Sequence, residues 1–541
     1  EQLILSYAST TIDASLPTFA CGSLWCYGDT VSYKTMERYL PESSGTDISN
    51  WSTFATLLPN GTNADGVAIA GTPGRRNSIN YYPSLSTLTQ HTTLTRSRSP
   101  YIGGITVPTG ITLTIEPGVV IKMPSIFSAF IINGSLMAGG TASDPIVITS
   151  LKDDTYGGDT NADGTATSPS PGDWASIKIT STSASSTLSH TIIRYGGVED
   201  AAVAHWANLK IENPSTTVSR SIIEKSHTYG IWMKQGGGTI QNSTISQNNR
   251  NIAGQTKGIG ILLEQSSPIL AYNTITQNTH GLWIYTASNA TVTNNTFSSN
   301  TLNAIEVSNS YPTFSGNTAT NNGTNGIAIA GTQTQDYSFS ANLPYIGGTY
   351  TINENTTLTL PAGTIWKSPS GVIIRGTLNT TGTAANPVIF TSRKDDTAGG
   401  DTNGDGSVTS PSPSDWTHLS FIQNRATSTL THTTVRYGGG RSSPSQPYEG
   451  ALRISGASPE IRNSTIQYNG PIGIWMSHAT STIIADSLIE EHRDTTNDTF
   501  YGLYLTASST PTVSNTIFTN NEQNIFTDGT STTTDGGGNG W

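Results

Sequence analysis

Charged residues and cysteines are both scarce in this chain. Only 12% of its 541 residues are Asp, Glu, Lys or Arg, and there are two cysteines. Low charge with 34% apolar residues argues against general disorder, which usually needs high net charge and few apolar groups. The net charge of −11 disfavours nucleic-acid binding, which needs a basic face.

Long hydrophobic runs are missing as well. No stretch of about 18 apolar residues is present, so we expect no membrane-spanning helix. The first residues, EQLILSYAST, lack a basic segment followed by an apolar run, so a signal peptide has either been removed or never existed. Gly, Ser, Thr and Asn are abundant instead, which indicates a β-protein with many turns. The length predicts several domains or a solenoid.

The two cysteines, Cys21 and Cys26, lie five residues apart. They predict a short disulfide loop formed in an oxidising compartment. The alternative is a pair of reduced, buried thiols. A metal site is the weakest interpretation, because neither a third cysteine nor a nearby histidine supplies further ligands.

Two acidic segments are nearly identical. Residues 152–174 read KDDTYGGDTNADGTATSPSPGDW and residues 394–416 read KDDTAGGDTNGDGSVTSPSPSDW, which differ at five positions. Loops usually diverge faster than cores after a duplication, so a loop kept this closely indicates a constraint of its own.

Each segment carries oxygen ligands at alternate positions followed by glycine, as in calcium loops. Ser170 and Ser412 stand where a helix-loop-helix site has its bidentate glutamate, and the nearby prolines forbid an exit helix. We therefore predict two structural Ca²⁺ sites on loops between strands, with a solvated turn without metal as the alternative. Side chains of Asp159, Asn161 and Asp163 and the main chain of Thr165 are the first candidate ligands, with a further carboxylate from Asp153, Asp154 or Asp173. The second set is Asp401, Asn403, Asp405 and Ser407, with Asp395, Asp396 or Asp415.

A finer repeat lies between the acidic segments. Units begin at Asn273, Asn295 and Asn317, a step of 22 residues taken twice. Each has Asn-Thr-apolar, a second Asn five residues on, and an apolar-x-apolar triplet, so its short runs alternate with the period of a strand. Such a unit cannot bury its apolar face alone and must stack on copies of itself. The repeated Asn predicts a side-chain hydrogen-bond ladder inside a turn.

These units resemble the right-handed parallel β-helix repeats of the pectin-lyase-like superfamily. The blocks ITLTIEPGVVIK and TTLTLPAGTIWK are similar to those that open β-helix domains of large bacterial surface proteins. The resemblance implies an all-β solenoid over about residues 101–541. It does not imply one activity, because this fold carries lyases, hydrolases and inert stalks.

The repeats also suggest boundaries. YIGG occurs at Tyr101 and again at Tyr345. We expect an N-terminal cap or linker over 1–100, with degenerate β-helix rungs, then two tandem modules over 101–344 and 345–541.

Catalytic patterns are hard to find. The Gly-His-Gly and Asn-Thr-Asp motifs of polygalacturonase-like hydrolases are absent, and no Ser-His-Asp set is visible. Arg194 and Arg436 could act as lyase bases, but a structural role in the repeated RYGG turn is the preferred interpretation. No catalytic residue is assigned.

An aromatic row is predicted on one outer sheet face. In each triplet the outer two residues should point inward and the middle one outward. Exposed rings there could stack on sugars or on another chain, or be covered by the chain's own loops. The row comprises Trp232, Trp283, Trp475 and Tyr504.

These features predict a secreted, calcium-stabilised structural or adhesive surface protein, which could form a filament or sheath from copies of itself. The alternative is a polysaccharide-binding or polysaccharide-cleaving β-helix protein that uses the aromatic row. Neither interpretation includes nucleic acid as a partner.

Overall fold

The computed structural model describes residues 84–198, 207–248, 258–423, 427–441, 450–492 and 499–541, and the backbone of four strands before them. Cys21 and Cys26 lie outside the described residues, as does most of the expected N-terminal cap. The chain divides into two compact units, residues 1–85 with 98–102, and residues 86–97 with 103–541.

The first unit contains short strands in antiparallel pairs. Ile4–Tyr7 pairs with Thr10–Ala14, and Met36–Arg38 pairs with Trp51–Thr53. Tyr101–Ile102 is a further strand of this unit, and Ile102 forms an isolated parallel bridge with Ser84. A short 3-10 helix spans Arg96–Arg98, of which Arg98 belongs to this unit and Arg96 to the second.

The second unit is a stack of coils in which each coil gives one strand to each of three parallel sheets, A, B and C. The alternating apolar runs of the 22-residue units form these strands. Their register repeats from coil to coil, with Ile231 beside Ile261 and Ile261 beside Leu282. The predicted all-β parallel solenoid is therefore confirmed.

The strands of each sheet follow one another along the stack. Sheet A comprises Ile105–Val107, Phe130–Ile132, Ile177–Ile179, Ala207–Ile211, Tyr229–Lys234, Ile259–Glu264, His280–Tyr285, Asn303–Ser308, Thr324–Gln333, Tyr345–Ile352, Val372–Ile374, Leu419–Ile422, Leu452–Ser455, Ile472–Ser477, Tyr501–Thr506 and Gln523–Thr527. Sheet B comprises Thr92–Leu94, Thr112–Ile115, Ser135–Gly139, Ser186–Ser189, Thr216–Ser219, Thr239–Gln241, Ile269–Ala271, Thr291–Thr293 and Thr313–Ser315, then Tyr337–Ser338, Thr357–Pro361, Thr377–Thr381, Thr429–Thr431, Glu460–Arg462, Ile483–Ala485, Thr512–Ser514 and Thr534–Asp535. Sheet C comprises Val120–Met123, Ile146–Ser150, Thr191–Arg194, Ile222–Glu224, Thr244–Ser246, Thr274–Thr276, Thr296–Ser298 and Thr318–Thr320, then Ile365–Ser368, Val388–Ser392, Thr433–Arg436, Thr465–Gln467, Leu488–Glu490 and Ile517–Thr519.

The two repeats are joined through one strand. Tyr345–Ile352 pairs along its length with Thr324–Gln333 of the preceding coil. On its other side, its first residues pair with Ile365–Ser368 and its last residues pair with Val372–Ile374. Sheets A and C of the second repeat therefore both start from this strand.

The core is a set of apolar rows inside the coils. Ile231, Ile261, Leu282 and Ile305 follow one another in sheet A with no exposed surface. Burying a side chain of this size contributes roughly 1.5–3 kcal/mol to stability. A single coil cannot bury these side chains, so the stacking of coils provides this stabilisation.

The predicted asparagine ladder is present, and there are two of them. In the turn between sheets B and C, the amide of Asn273 donates to Asn295 at 2.9 Å, and Asn295 donates to Asn317 at 3.1 Å. In the turn between sheets C and A, the amide of Asn278 donates to Asn300 at 3.1 Å. Both ladders satisfy buried polar groups along the stack.

The second repeat interrupts this pattern with a histidine. His492 has no exposed surface and lies between Asn469 and Asn521 along the same turn. Its ring nitrogens have no hydrogen-bond partner among the residues the structure describes. Burial lowers the pKa of His492 to about 3, so the ring is neutral.

No helix within the described part of the chain is long and apolar enough to cross a membrane.

Candidate functional site

The two acidic segments are insertions between sheets C and A. The first follows Ile146–Ser150 and precedes Ile177–Ile179, and the second follows Val388–Ser392 and precedes Leu419–Ile422. The loops therefore occupy equivalent positions in the two repeats.

Three carboxylates converge in each loop. Oxygens of Asp154, Asp159 and Asp163 all lie within 4.8 Å of one another, and those of Asp396, Asp401 and Asp405 do the same. Of the three aspartates that could complete each set, the structure brings Asp154 and Asp396 into the cluster.

The local fold aims these oxygens inward. The carboxylate of Asp159 accepts from the backbone N–H of Asp163 at 3.1 Å and of Gly164 at 2.9 Å. Asn161 donates its amide to Asp163 at 2.7 Å, which leaves its carbonyl oxygen free to turn the other way. Gly164 has a φ of 70°, the left-handed conformation that the sharp turn requires.

The donor set suits a hard divalent cation. The Oδ1 atoms of Asp154, Asn161 and Asp163 are buried and have no hydrogen-bond donor among the residues that the structure describes. The Oδ1 atoms of Asp396, Asn403 and Asp405 repeat this arrangement in the second loop. Burying carboxylate and amide oxygens without hydrogen-bond donors costs folding free energy unless a cation binds them. Ca²⁺ prefers oxygen ligands of this kind.

Electrostatics within the loops agree with this fit. Burial raises the pKa of Asp154, and repulsion from Asp159 adds to the effect. The pKa of Asp396 is raised in the same way, with Asp401 as the neighbour. A bound cation would relieve both repulsions.

The other candidate aspartates have partners of their own. Asp173 accepts from Lys152 and from Ser150, both at 2.7 Å, and Asp415 accepts from Lys394 and Ser392 at the same distances. Asp153 is fully buried and accepts from Thr155 at 2.6 Å. Thr165 and Ser407, named as main-chain ligands, lie on the exposed part of each loop.

The two arginines of the RYGG turns contact the same buried aspartates. Arg194 lies 3.4 Å from Asp153, and Arg436 lies 2.6 Å from Asp395. Each arginine thus holds its loop to the following coil, as the structural interpretation of the turn expects.

A buried lysine beneath each loop was not predicted. Lys122 and Lys367 have no exposed surface, and their ammonium groups donate to the carbonyls of Gly158 and Gly400. Burial lowers the pKa of Lys367 to about 8, although the nearby carboxylates of Asp395 and Asp396 oppose the shift. The available signal was the lysine that ends both leader blocks, VVIK and TIWK.

The predicted outer row of sheet A is present in register. Lys210 pairs with Trp232, Leu262 with Trp283, and Trp283 with Glu306. In the second repeat Trp475 pairs with Tyr504.

Exposure of the row differs from the expectation at one position. Trp232 is only 8% exposed, because it packs against Leu262 and lies beside Tyr229, and the ammonium of Lys210 lies 4.2 Å from its ring centre. The prediction of an exposed ring is therefore wrong for Trp232. Trp283, Trp475 and Tyr504 are half-buried and keep part of each ring accessible.

Polar groups surround Trp283. His280 stacks on its indole at 5.9 Å between ring centres, and Tyr285, 43% exposed, meets it edge-on at 5.9 Å. Glu306 lies 3.3 Å from Nδ1 of His280 and accepts from Asn303 at 3.0 Å. Although burial works against it, these two contacts keep the pKa of Glu306 below its ordinary value.

Comparison with known proteins identifies the family. The family described as right handed beta helix region matches residues 176–343 and 417–536. These ranges make up more than half of the chain, which therefore belongs to the right-handed β-helix family. No curated protein shows significant sequence similarity to it.

Solved structures with a similar fold include catalytic domains of enzymes. A variant GH87 alpha-1,3-glucanase catalytic domain in complex with tetrasaccharides is 13% identical, with a TM-score of 0.23, over 84% of this chain and 69% of that one. The catalytic unit of the thermostable GH87 alpha-1,3-glucanase from Streptomyces thermodiastaticus strain HF3-3 is 16% identical, with a TM-score of 0.23, over 80% of this chain and 64% of that one. At these values the two likenesses show neither the substrate nor the reaction of this chain, and its fold is shown by the family match and the parallel sheets.

One expectation is corrected here. The sequence predicts a structural or adhesive surface protein, whereas the similar structures are catalytic domains of alpha-1,3-glucanases. The alternative, a protein that binds or cleaves polysaccharide, is left as the proposal.

Proposed function

We propose that this chain is a polysaccharide-binding β-helix protein whose glycan site is the outer face of sheet A around Trp283. The observation that carries this proposal is the group formed by Trp283, Tyr285, His280 and Glu306. It combines two accessible rings with a hydrogen-bonding carboxylate on a rigid sheet.

The chemistry suits sugars. A pyranose ring has an apolar face that stacks on an indole and a rim of hydroxyls that needs polar partners. Next to Tyr285 in the sheet is Glu264, whose carboxylate is paired with Lys234 at 3.0 Å. Donors and acceptors therefore border the aromatic surface.

Binding is favoured over cleavage by the state of Glu306. Glycoside hydrolysis uses two carboxyl groups, of which one has a raised pKa and donates a proton. Glu306 has a lowered pKa, so it is an ionised acceptor and not a proton donor. Cleavage remains the second candidate function, since an ionised carboxylate beside an aromatic platform could serve as a base.

The test is affinity electrophoresis against soluble neutral and acidic polysaccharides, with release of reducing or unsaturated sugar ends measured in parallel. Trp283→Ala should weaken retention by roughly fivefold to tenfold, because stacking on an aromatic ring contributes about 1–1.4 kcal/mol. Tyr272→Ala is the matched control, since Tyr272 is 61% exposed in a turn away from sheet A. Retention unchanged in Trp283→Ala, or absent in the wild type, would contradict the proposal.

We also propose that each acidic loop binds one Ca²⁺ in a structural role. The ligand oxygens would come from Asp154, Asp159, Asn161 and Asp163, and from the equivalent residues of the second loop. Isothermal titration with CaCl₂ should give two sites per chain, and a protein that binds no cation would refute this.

An extracellular location accords with both proposals. Many polysaccharides lie outside cells, and calcium sites occur in extracellular modules, where they bind the ion with dissociation constants of roughly 10⁻⁴–10⁻³ M. Fractionation of the producing cells with an antibody to the protein tests this location.

A further inference from the structure

A groove runs beside the first acidic loop, apart from the Trp283 face. Its volume is about 400 Å³. The residues that line it come from the acidic loop and from the turns that lead from sheet C to sheet A. They are Pro171, Lys225, Gln247, Gln277, Ser299 and Thr301.

The floor of the groove is periodic. Lys225, Gln247, Gln277 and Ser299 each follow a sheet C strand in successive coils, and all four have a left-handed φ between 55° and 57°. Because coils stack about 4.8 Å apart, the groove offers one side chain at each such step along the axis.

The two glutamine amides form a short ladder, and among the described residues this ladder leaves part of their bonding capacity unused. Gln247 donates to the carbonyl oxygen of Gln277 at 3.2 Å. A primary amide has two N–H donors and an oxygen with two lone pairs, so this bond uses a fraction of what the pair offers.

The side of the groove formed by Pro171 is fixed to the next coil by backbone hydrogen bonds. Gly172, next to Pro171, donates its N–H to the carbonyl of Tyr195 at 3.0 Å, and Asp173 donates to the same carbonyl at 3.0 Å. Gly172 has a φ of 90°, and a Cβ there would lie 3.1 Å from His227, so the loop exit fits closely against the next coil. The groove is therefore a pre-formed feature, as binding sites usually are.

The lining also indicates the ligand. Within the described part of the chain it consists of amides, hydroxyls, a proline ring and one ammonium group, and none of these lining residues carries a carboxylate. Amides and hydroxyls at regular steps match a polymer that carries hydroxyl groups at regular steps.

We propose that this groove binds a linear, neutral polysaccharide strand that lies along the coil axis. The ligand class rests on the proposed function, but the surface does not include Trp283 or its neighbours. The protein would then hold glycan at two places on adjoining faces of the same coils.

The test compares two double variants in the full chain. Gln247→Ala with Gln277→Ala removes the groove amides. Gln235→Ala with Gln265→Ala is the matched control, because these residues form an equal ladder, at 3.0 Å, on exposed turns of the same coils that do not line the groove. Affinity for a soluble neutral glucan is measured by isothermal calorimetry, and melting temperatures confirm that both variants are folded.

We expect the groove variant to lose roughly tenfold in affinity, the effect of one to two hydrogen bonds, while the control stays within about twofold. Wild-type affinity in the groove variant, or equal loss in both variants, would overturn the groove proposal. If affinity then still depends on Trp283, the proposed function stands without the groove. A wild type that binds no neutral glucan but retains an acidic one overturns the groove alone, and a wild type that binds neither overturns both.

Discussion

Replacing one ladder asparagine tests how much the asparagine ladders stabilise the stack of coils. The side chain of Asn295, 1% exposed, takes part in five hydrogen bonds. It accepts from the backbone N–H and the amide of Asn273, and donates to Leu270, Thr293 and Asn317. Asn295→Ala therefore leaves buried donors and acceptors without partners on both neighbouring coils.

The magnitude follows from these bonds. The amide has two N–H groups, so its three donor contacts count as two bonds; with the two that Asn295 accepts, four bonds at about 1 kcal/mol each correspond to roughly 4 kcal/mol. A water molecule that enters the space could restore part of this, so we expect a loss of about 2–4 kcal/mol in the free energy of unfolding. Asn294→Gly is the control: Asn294 is exposed with a φ of 54°, which glycine adopts without strain, so its effect should stay within about 0.5 kcal/mol.

Urea unfolding followed by tryptophan fluorescence measures both variants, and hydrogen exchange at the backbone amide of Asn273 reports the local change. A loss below about 1 kcal/mol for Asn295→Ala, with slow exchange retained at Asn273, would refute the ladder as a main source of stability.

Two further predictions concern charge. Asp154→Asn should remove the share of the protein's Ca²⁺-dependent rise in melting temperature that the first loop contributes. In EDTA the same variant should melt higher than the wild type, because it lacks one of three carboxylates that repel one another. Calorimetry with and without Ca²⁺ measures both effects, and a variant that melts lower in EDTA would contradict the repulsion. His492 should make the protein sensitive to acid. Its pKa is about 3 in the folded chain and near 6.5 in the unfolded chain, so between these pH values only the unfolded chain binds the proton. The free energy of unfolding should therefore fall by up to about 1.4 kcal/mol for each pH unit from pH 6.5 down to pH 3. His492→Asn should flatten that slope relative to the wild type in urea unfolding between pH 7.5 and 4.5, and equal slopes would exclude His492 as the cause.

Much of the fold could be predicted because its pattern is periodic. The 22-residue step fixed the register, so Trp283 lies between Leu262 and Glu306 as its place in the triplet predicts. The buried asparagines were foreseeable for the same reason, since a polar residue at a constant phase needs a partner in the next coil.

The candidate sites were less predictable, because they depend on paths and contacts that do not repeat. From the sequence spacing, Asp153, Asp154 and Asp173 were equally good candidates for the additional ligand. The path of the loop brings Asp154 into the carboxylate cluster and directs the other two to Lys152 and Thr155. Trp232 is covered by Lys210 and Tyr229. The alternation of residues along a strand predicts which face a side chain is on, but not whether neighbouring side chains fold over it. The groove beside Pro171 arises where an insertion meets turns from later coils, so no single segment contains its signal.

The strand Tyr345–Ile352 shows how a copied module can be added to such a protein. One edge of this strand pairs with the last coil of the first repeat, and its other edge pairs with the first strands of sheets A and C in the second repeat. The two repeats are therefore joined without a linker between them. Each added module then brings its own acidic loop with three converging carboxylates and lengthens the surface along which a polymer could lie.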